Sequence, residues 1–177
     1  MLVFRLKEKL CYALASEHIV KREGAVSDRF NAYCEGKDLL KQYYMLMYRG
    51  AQAEANDRLN HVITQAQKYE WYDTLTEAYY LKLEYLKKRS EKTMYHEIES
   101  GLVYAEFCNQ AIHKAKRIFD DLATFNKSTA SRNDFVQLYE RSLAQLKELV
   151  DKTQSATIAY QLLIVEIGYY HELEEYA

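Results

Sequence analysis

The chain has no proline and only five glycines in 177 residues. Proline is the strongest helix breaker, because its ring fixes φ and removes a backbone donor. With that breaker missing and Ala, Leu, Glu, Lys and Gln abundant, composition points to an all-helical protein. Cysteine is sparse: Cys11, Cys34 and Cys108 are scattered, without a CxxC or a zinc spacing. This argues against a disulfide scaffold and fits reduced thiols that behave as small buried hydrophobes in a cytoplasmic protein. A dominant charge sign is also lacking. The 24 basic and 26 acidic residues leave −2, which gives no global electrostatic case for nucleic acid or an anionic membrane. In "MLVFRLKEKL", Arg5, Lys7, Glu8 and Lys9 occupy the place of a signal peptide's apolar stretch, so no targeting segment is expected.

Tyrosine is present in excess, at 17 residues. Hydrophobic periodicity predicts seven helices: about Leu2–Arg22, Ser27–Tyr48, Ala51–Lys68, Trp71–Lys88, Glu91–Phe125, a sixth ending near Lys152, and Ser155–Tyr176. Gly24 and Gly50 punctuate, Gly36 lies inside the second, and Gly101 could divide the long fifth. "NKSTAS" (126–131) is the clearest loop, and Ser131 with Asp134 forms an S-x-x-D capping box that starts the sixth helix. No stretch alternates long enough for a sheet. Short loops make consecutive helices antiparallel neighbours. The expected architecture is one all-α domain of stacked helical hairpins, with the chain open to being the front part of a longer solenoid.

The fourth helix supports stacking. Tyr72, Leu75, Tyr79, Leu83 and Leu86 form its main stripe, with Tyr80 at the edge and Trp71, Ala78 and Tyr85 on a second flank. Asp73, Glu77, Glu84 and Lys88 fill an arc of only about 60°. A helix packed against one layer needs an apolar arc of about 100°. This one has more, as an interior helix of a stack does.

From Leu39 to Arg89 the chain resembles the tetratricopeptide-type helical repeat. Leu39, Tyr43 and Leu46 approximate the family's first helix, and Gly50 stands at the turn. Ala55, Leu59 and Val62 follow at its second-helix spacing, and "KYEWYDTLTEAYYLKLEYL" would open the next repeat. The family usually carries a small residue at Tyr43 and a proline after the second helix, and no second copy keeps a 34-residue period. The resemblance, to a divergent tetratricopeptide-like α-solenoid of a kind found in many bacterial proteins, implies a scaffold that binds peptides or proteins.

Signatures of chemistry are few. Di-metal bundles need Glu-x-x-His on inward faces, yet none of His18, His61, His96, His113 or His171 has a Glu three residues before it. His96–Glu99 and His171–Glu174 give the reversed order and read as solvated polar pairs. No Gly-rich phosphate loop and no G-x-S-x-G occurs. "HKAKR" (113–117) is followed at once by Asp120 and Asp121 and reads as a solvated face. No enzyme activity, cofactor, metal, nucleic acid or membrane partner is expected.

Tyr43–Tyr44, Tyr79–Tyr80 and Tyr169–Tyr170 are adjacent pairs. Rings of this kind fill grooves between stacked helices, or line interfaces at low entropy cost. The expected contact surface for a protein or peptide is Tyr44, Tyr80 and Tyr85, flanked by Asp73, Glu77 and Glu84, which favours a lysine- or arginine-bearing segment. In the last helix, Ile158, Leu162, Val165, Tyr169 and Leu173 form one stripe. Apolar residues cover much of the remaining circumference too, although Gln161 and Glu166 make it too polar for a membrane span. Tyr160, Ile164 and Ile167 are the expected oligomer interface, in a homodimer through this helix. Two rival readings remain open: a closed bundle with a small-molecule or metal pocket near His96 or His113, and a structural assembly domain.

Overall fold

The computed structural model describes residues 25–89, 92–125 and 131–175. Among the described residues there are six α-helices and no strand. They are α1 (Ala25–Tyr48), α2 (Gln52–Tyr69), α3 (Tyr72–Lys87), α4 (Lys92–Thr124), α5 (Arg132–Thr153) and α6 (Ala156–Glu175). They match the second to seventh expected helices to within about two residues at the ends, the usual scatter of helix boundaries. The expected helix over Leu2–Arg22 and most of the "NKSTAS" loop lie outside the described residues. The chain forms two compact units, residues 1–69 and 70–177.

In the first unit α1 and α2 form an antiparallel hairpin. Its turn is closed by Ala51 N–H donating to Leu46 O (2.9 Å) and Gly50 N–H to Met47 O (3.1 Å). This pair of bonds is the Schellman motif. It requires the φ of +79° that Gly50 supplies without steric cost. The buried residues are Leu39, Leu40 and Tyr43 on α1 and Ala55, Leu59, Val62, Ile63 and Ala66 on α2. Those on α2 recur every three to four residues, the spacing of one helical face. Gly36 does not interrupt α1.

The second unit is built along α4, whose 33 residues span roughly 50 Å. Its N-terminal half carries α3. Gly101 sits where any Cβ would lie 3.2 Å from the Tyr79 ring. The glycine therefore admits a ring at the α3–α4 seam, and the helix runs through it unbroken. The C-terminal half of α4 contributes Ala111, Ala115, Ile118 and Leu122 to a core completed by Leu146 and Leu149 of α5 and Ile158 and Val165 of α6. At the far end Phe135 stacks with Tyr169, meets the Tyr139 ring at a tilt and lies 6.4 Å from Phe125.

The sixth expected helix starts as its capping box requires. Asp134 N–H donates to Ser131 Oγ (3.2 Å), and Ser131 N–H donates to Asp134 Oδ2 (3.0 Å). These bonds hold the Asp134 carboxyl below its usual value. Helix α5 ends at Gln154, whose φ of +52° turns the chain within two residues into α6. Because α6 starts near the middle of α4 and ends beside Phe125 and Phe135, it runs parallel to α4, whereas α3 runs antiparallel. The N-termini of α3 and α6 therefore meet.

Candidate functional site

Glu70 stands where those N-termini meet. Its carboxylate accepts from Ala156 N (2.8 Å), Thr157 N (3.0 Å) and Ser155 Oγ (2.9 Å), and Ile158 N donates to Ser155 Oγ (3.3 Å). The first amides of α6 have no partner within their own helix, so a carboxylate 86 and 87 residues earlier in the chain supplies one. Burial pushes the Glu70 carboxyl up, but the bonds from Thr157, Ala156 and Ser155 outweigh it and leave the group below its usual value. Glu70 holds a left-handed φ of +56° to reach this position.

Beside it, the Tyr72 and Tyr104 hydroxyls neighbour the thiol of the fully buried Cys108. Tyr104 also donates to Thr153 O (2.8 Å). Burial, followed by the neighbouring thiol and Glu70, raises the Tyr72 hydroxyl well above the ordinary phenol range. Tyr104 is raised as well, chiefly by the neighbouring Cys108 thiol. Both phenols are protonated at neutral pH. The cluster satisfies polar groups where α3, α4, α5 and α6 come together.

The expected contact residues fall in different places. Asp73, Glu77, Tyr80 and Glu84 are spaced four, three and four residues apart, which puts them on one face of α3. Asp73, Tyr80 and Glu84 are exposed and Glu77 is half-buried. The Tyr80 side chain is 52% exposed, and its hydroxyl donates to Glu106 Oε1 on α4 at 2.6 Å. That bond, with the charge of Glu106, raises the Tyr80 hydroxyl above its usual value. The ring is thus tethered across two helices and still faces solvent. Next to Glu106 on α4, Phe107 and Val103 are exposed.

Tyr85 behaves differently. It lies about 140° around α3 from Tyr80 and is only 7% exposed. The Arg89 guanidinium lies 4.6 Å and the Lys82 amine 5.6 Å from its ring centroid. It is a packing ring with cations over its face, so it presents little surface to a partner. Tyr44 is exposed on α1 of the first unit, edge-on to the buried Tyr43. Tyr160 (65%), Ile164 (36%) and Ile167 (61%) are exposed on α6.

Sequence reasoning missed Glu106, Phe107, Val103 and Glu70. Phe107 and Val103 do lie off the Leu102–Ala105–Cys108–Ile112 stripe, a signal that was available. Glu70 carried none, because its partners are remote in sequence.

His96 Nδ1 meets Glu99 Oε2 at 3.3 Å in the open, as an exposed polar pair. Among the described residues no group of three or more His, Cys, Asp or Glu is placed to hold a metal ion. Among them, too, no helix is long and apolar enough to cross a membrane. Comparison of the chain with protein-family models, curated proteins and solved structures finds no match.

Proposed function

We propose that this chain is a non-catalytic, tetratricopeptide-like scaffold that binds a basic segment of another protein on the Tyr80 face of the α3–α4 hairpin. The observation that carries the proposal is the Tyr80 ring, exposed yet fixed by its 2.6 Å bond to Glu106. A ring held in place loses little entropy on contact, and preorganisation of this kind raises affinity without new contacts. Asp73, Glu77, Glu84 and Glu106 surround it with negative charge. A lysine or arginine can lie over the ring while its charge meets a carboxylate. Phe107 and Val103 offer apolar contact for the stem of the same side chain or its neighbour.

The stacking of short-looped antiparallel helices supports the repeat-like reading. On α3, Tyr79, Leu83 and Leu86 are buried, and so are Trp71, Ala78 and Tyr85 on the other flank.

The experiment is an array of twelve-residue peptides with lysine and arginine at varied spacings, with acidic and scrambled peptides alongside. The parent chain should select basic peptides, and selection should weaken as salt rises. Tyr80→Ala should lose roughly tenfold in affinity, the loss typical of a central aromatic contact. Glu77→Lys/Glu84→Lys should reverse the charge preference. Equal capture by the parent and Tyr80→Ala would refute the assignment of this face.

A further inference from the structure

Helix α6 carries a second solvent-facing surface, unlike the Tyr80 face in chemistry. Tyr160, Leu163, Ile164, Ile167 and Tyr170 are all exposed. Their spacing places them within an arc of about 120°. The opposite face carries Ile158, Leu162, Val165 and Tyr169, which enter the core of the second unit. The outer stripe is thus as apolar as the inner one, where a helix at the edge of a stack should turn polar side chains to water. Between positions 160 and 170 it contains no acidic or basic side chain, and His171 follows on the same face. Glu166, outside the arc, is drawn aside by Lys147 at 3.2 Å.

We infer that this stripe is the seam of a homodimer in which two copies of α6 pair antiparallel about a two-fold axis. Three observations commit it to a second copy. First, the stripe is palindromic: Tyr160 and Tyr170, and Leu163 and Ile167, are each equidistant from position 165. An isologous interface must be self-complementary in this way. In the antiparallel pair each tyrosine meets a tyrosine and each branched aliphatic meets another, with no like charges opposed.

Second, Gly168 lies in α6 beside Ile164, and a Cβ built there meets nothing within 4 Å. Glycine inside a helix is less favourable than alanine. Among the described residues no close approach accounts for it, and the open space there would admit the backbone of a second copy. Third, the exposed area of the five side chains is on the order of 500 Å² per copy, or about 1,000 Å² for the pair. That is at the lower limit for a specific interface, and the dimer is accordingly concentration-dependent.

Sedimentation velocity on the full chain from about 1 to 500 µM tests the inference. A monomer–dimer equilibrium with a midpoint in the micromolar range is expected. Ile167→Glu should raise the dissociation constant at least roughly a hundredfold, by placing two carboxylates in the apolar seam. Gly168→Leu should weaken the dimer while leaving helical content unchanged. Leu163→Lys provides an independent disruption if Ile167→Glu lowers helical content.

Pairing direction is read by oxidation in a Cys11→Ser/Cys34→Ser background. Ile164→Cys, next to the axis, should crosslink to its own copy. Tyr160→Cys should not, because its counterpart lies about 15 Å away. A monomer throughout the range, a dimer unmoved by both Ile167→Glu and Leu163→Lys, or crosslinking of Tyr160→Cys in preference to Ile164→Cys would each overturn the inference.

Discussion

Replacing Glu70 should destabilise the second unit more than any other substitution of a solvent-reachable carboxylate. Its carboxylate accepts two amides and a hydroxyl at the start of α6. Loss of an N-terminal cap costs about 0.5–2 kcal/mol. A hydrogen bond to a charged group contributes about 1.5–3 kcal/mol. These terms overlap, and partial exposure places the sum near their lower end. Glu70→Ala should therefore cost about 2 kcal/mol and Glu70→Gln, which keeps an acceptor, about 1 kcal/mol. For a unit of this size, about 2 kcal/mol lowers the midpoint by roughly 10 °C.

The backbone gives a second handle. Glu70 has a φ of +56°, a conformation that costs an L-residue about 1 kcal/mol and glycine almost nothing. Glu70→Gly should thus recover about 1 kcal/mol relative to Glu70→Ala, although both lack the cap. The assay is built into the chain. Trp71, the single tryptophan, is buried next to Glu70, so its emission reports unfolding of this unit.

The sign of the pH dependence follows from the lowered carboxyl. The unfolded value is near 4.5 and the folded value lies below it. The stabilisation is present above the unfolded value and is lost as pH falls through the folded one. The gap between parent and Glu70→Gln should be constant from pH 7 to about 5 and narrow on further acidification. A Glu70→Gln midpoint equal to the parent's at pH 7, or a gap that does not narrow in acid, would refute the reasoning.

Other substitutions test other parts of the second unit. Gly101→Leu would drive a side chain into the Tyr79 ring, already 3.2 Å from a bare Cβ; thermal unfolding followed by Trp71 should show a loss of about 1–3 kcal/mol. Phe135→Ala would remove the ring that packs against Tyr139 and Tyr169 at a fully buried position; urea titration should show a loss of about 3–5 kcal/mol. In a Cys11→Ser chain, a thiol-specific chromogenic reagent should modify Cys34, which is exposed, and reach Cys108 only on unfolding.

The helices were legible because their signals are local. Without proline, few features could end a helix, and Gly50 and Ser131 marked two of the boundaries by chain geometry and capping chemistry. The apolar periodicity of α4 survived Gly101 because the glycine serves a ring on the neighbouring helix, which no local window shows. The packing role of Tyr79 was legible from its stripe, as was the edge position of Tyr80. Tyr85 was harder. An apolar flank predicts burial and a surface aromatic equally well, and only the placement of Lys82 and Arg89 over its ring separates the two. Glu70 was not legible, because its meaning depends on two helices running in opposite senses along α4. That arrangement arises from packing and leaves no trace in spacing.

The two exposed aromatic surfaces differ in a way that bears on what each can bind. Tyr80 is tethered by a carboxylate and ringed by others, so the ring is fixed, wet and negatively charged at its rim. A partner there must meet those carboxylates with charge of its own. The α6 stripe is apolar from Tyr160 to Tyr170 and gains from leaving water at any salt concentration. Raising salt should therefore weaken capture of basic peptides while leaving self-association unchanged or slightly stronger. Opposite salt responses from one chain would separate two surfaces that composition alone, with its excess of tyrosine, makes look alike.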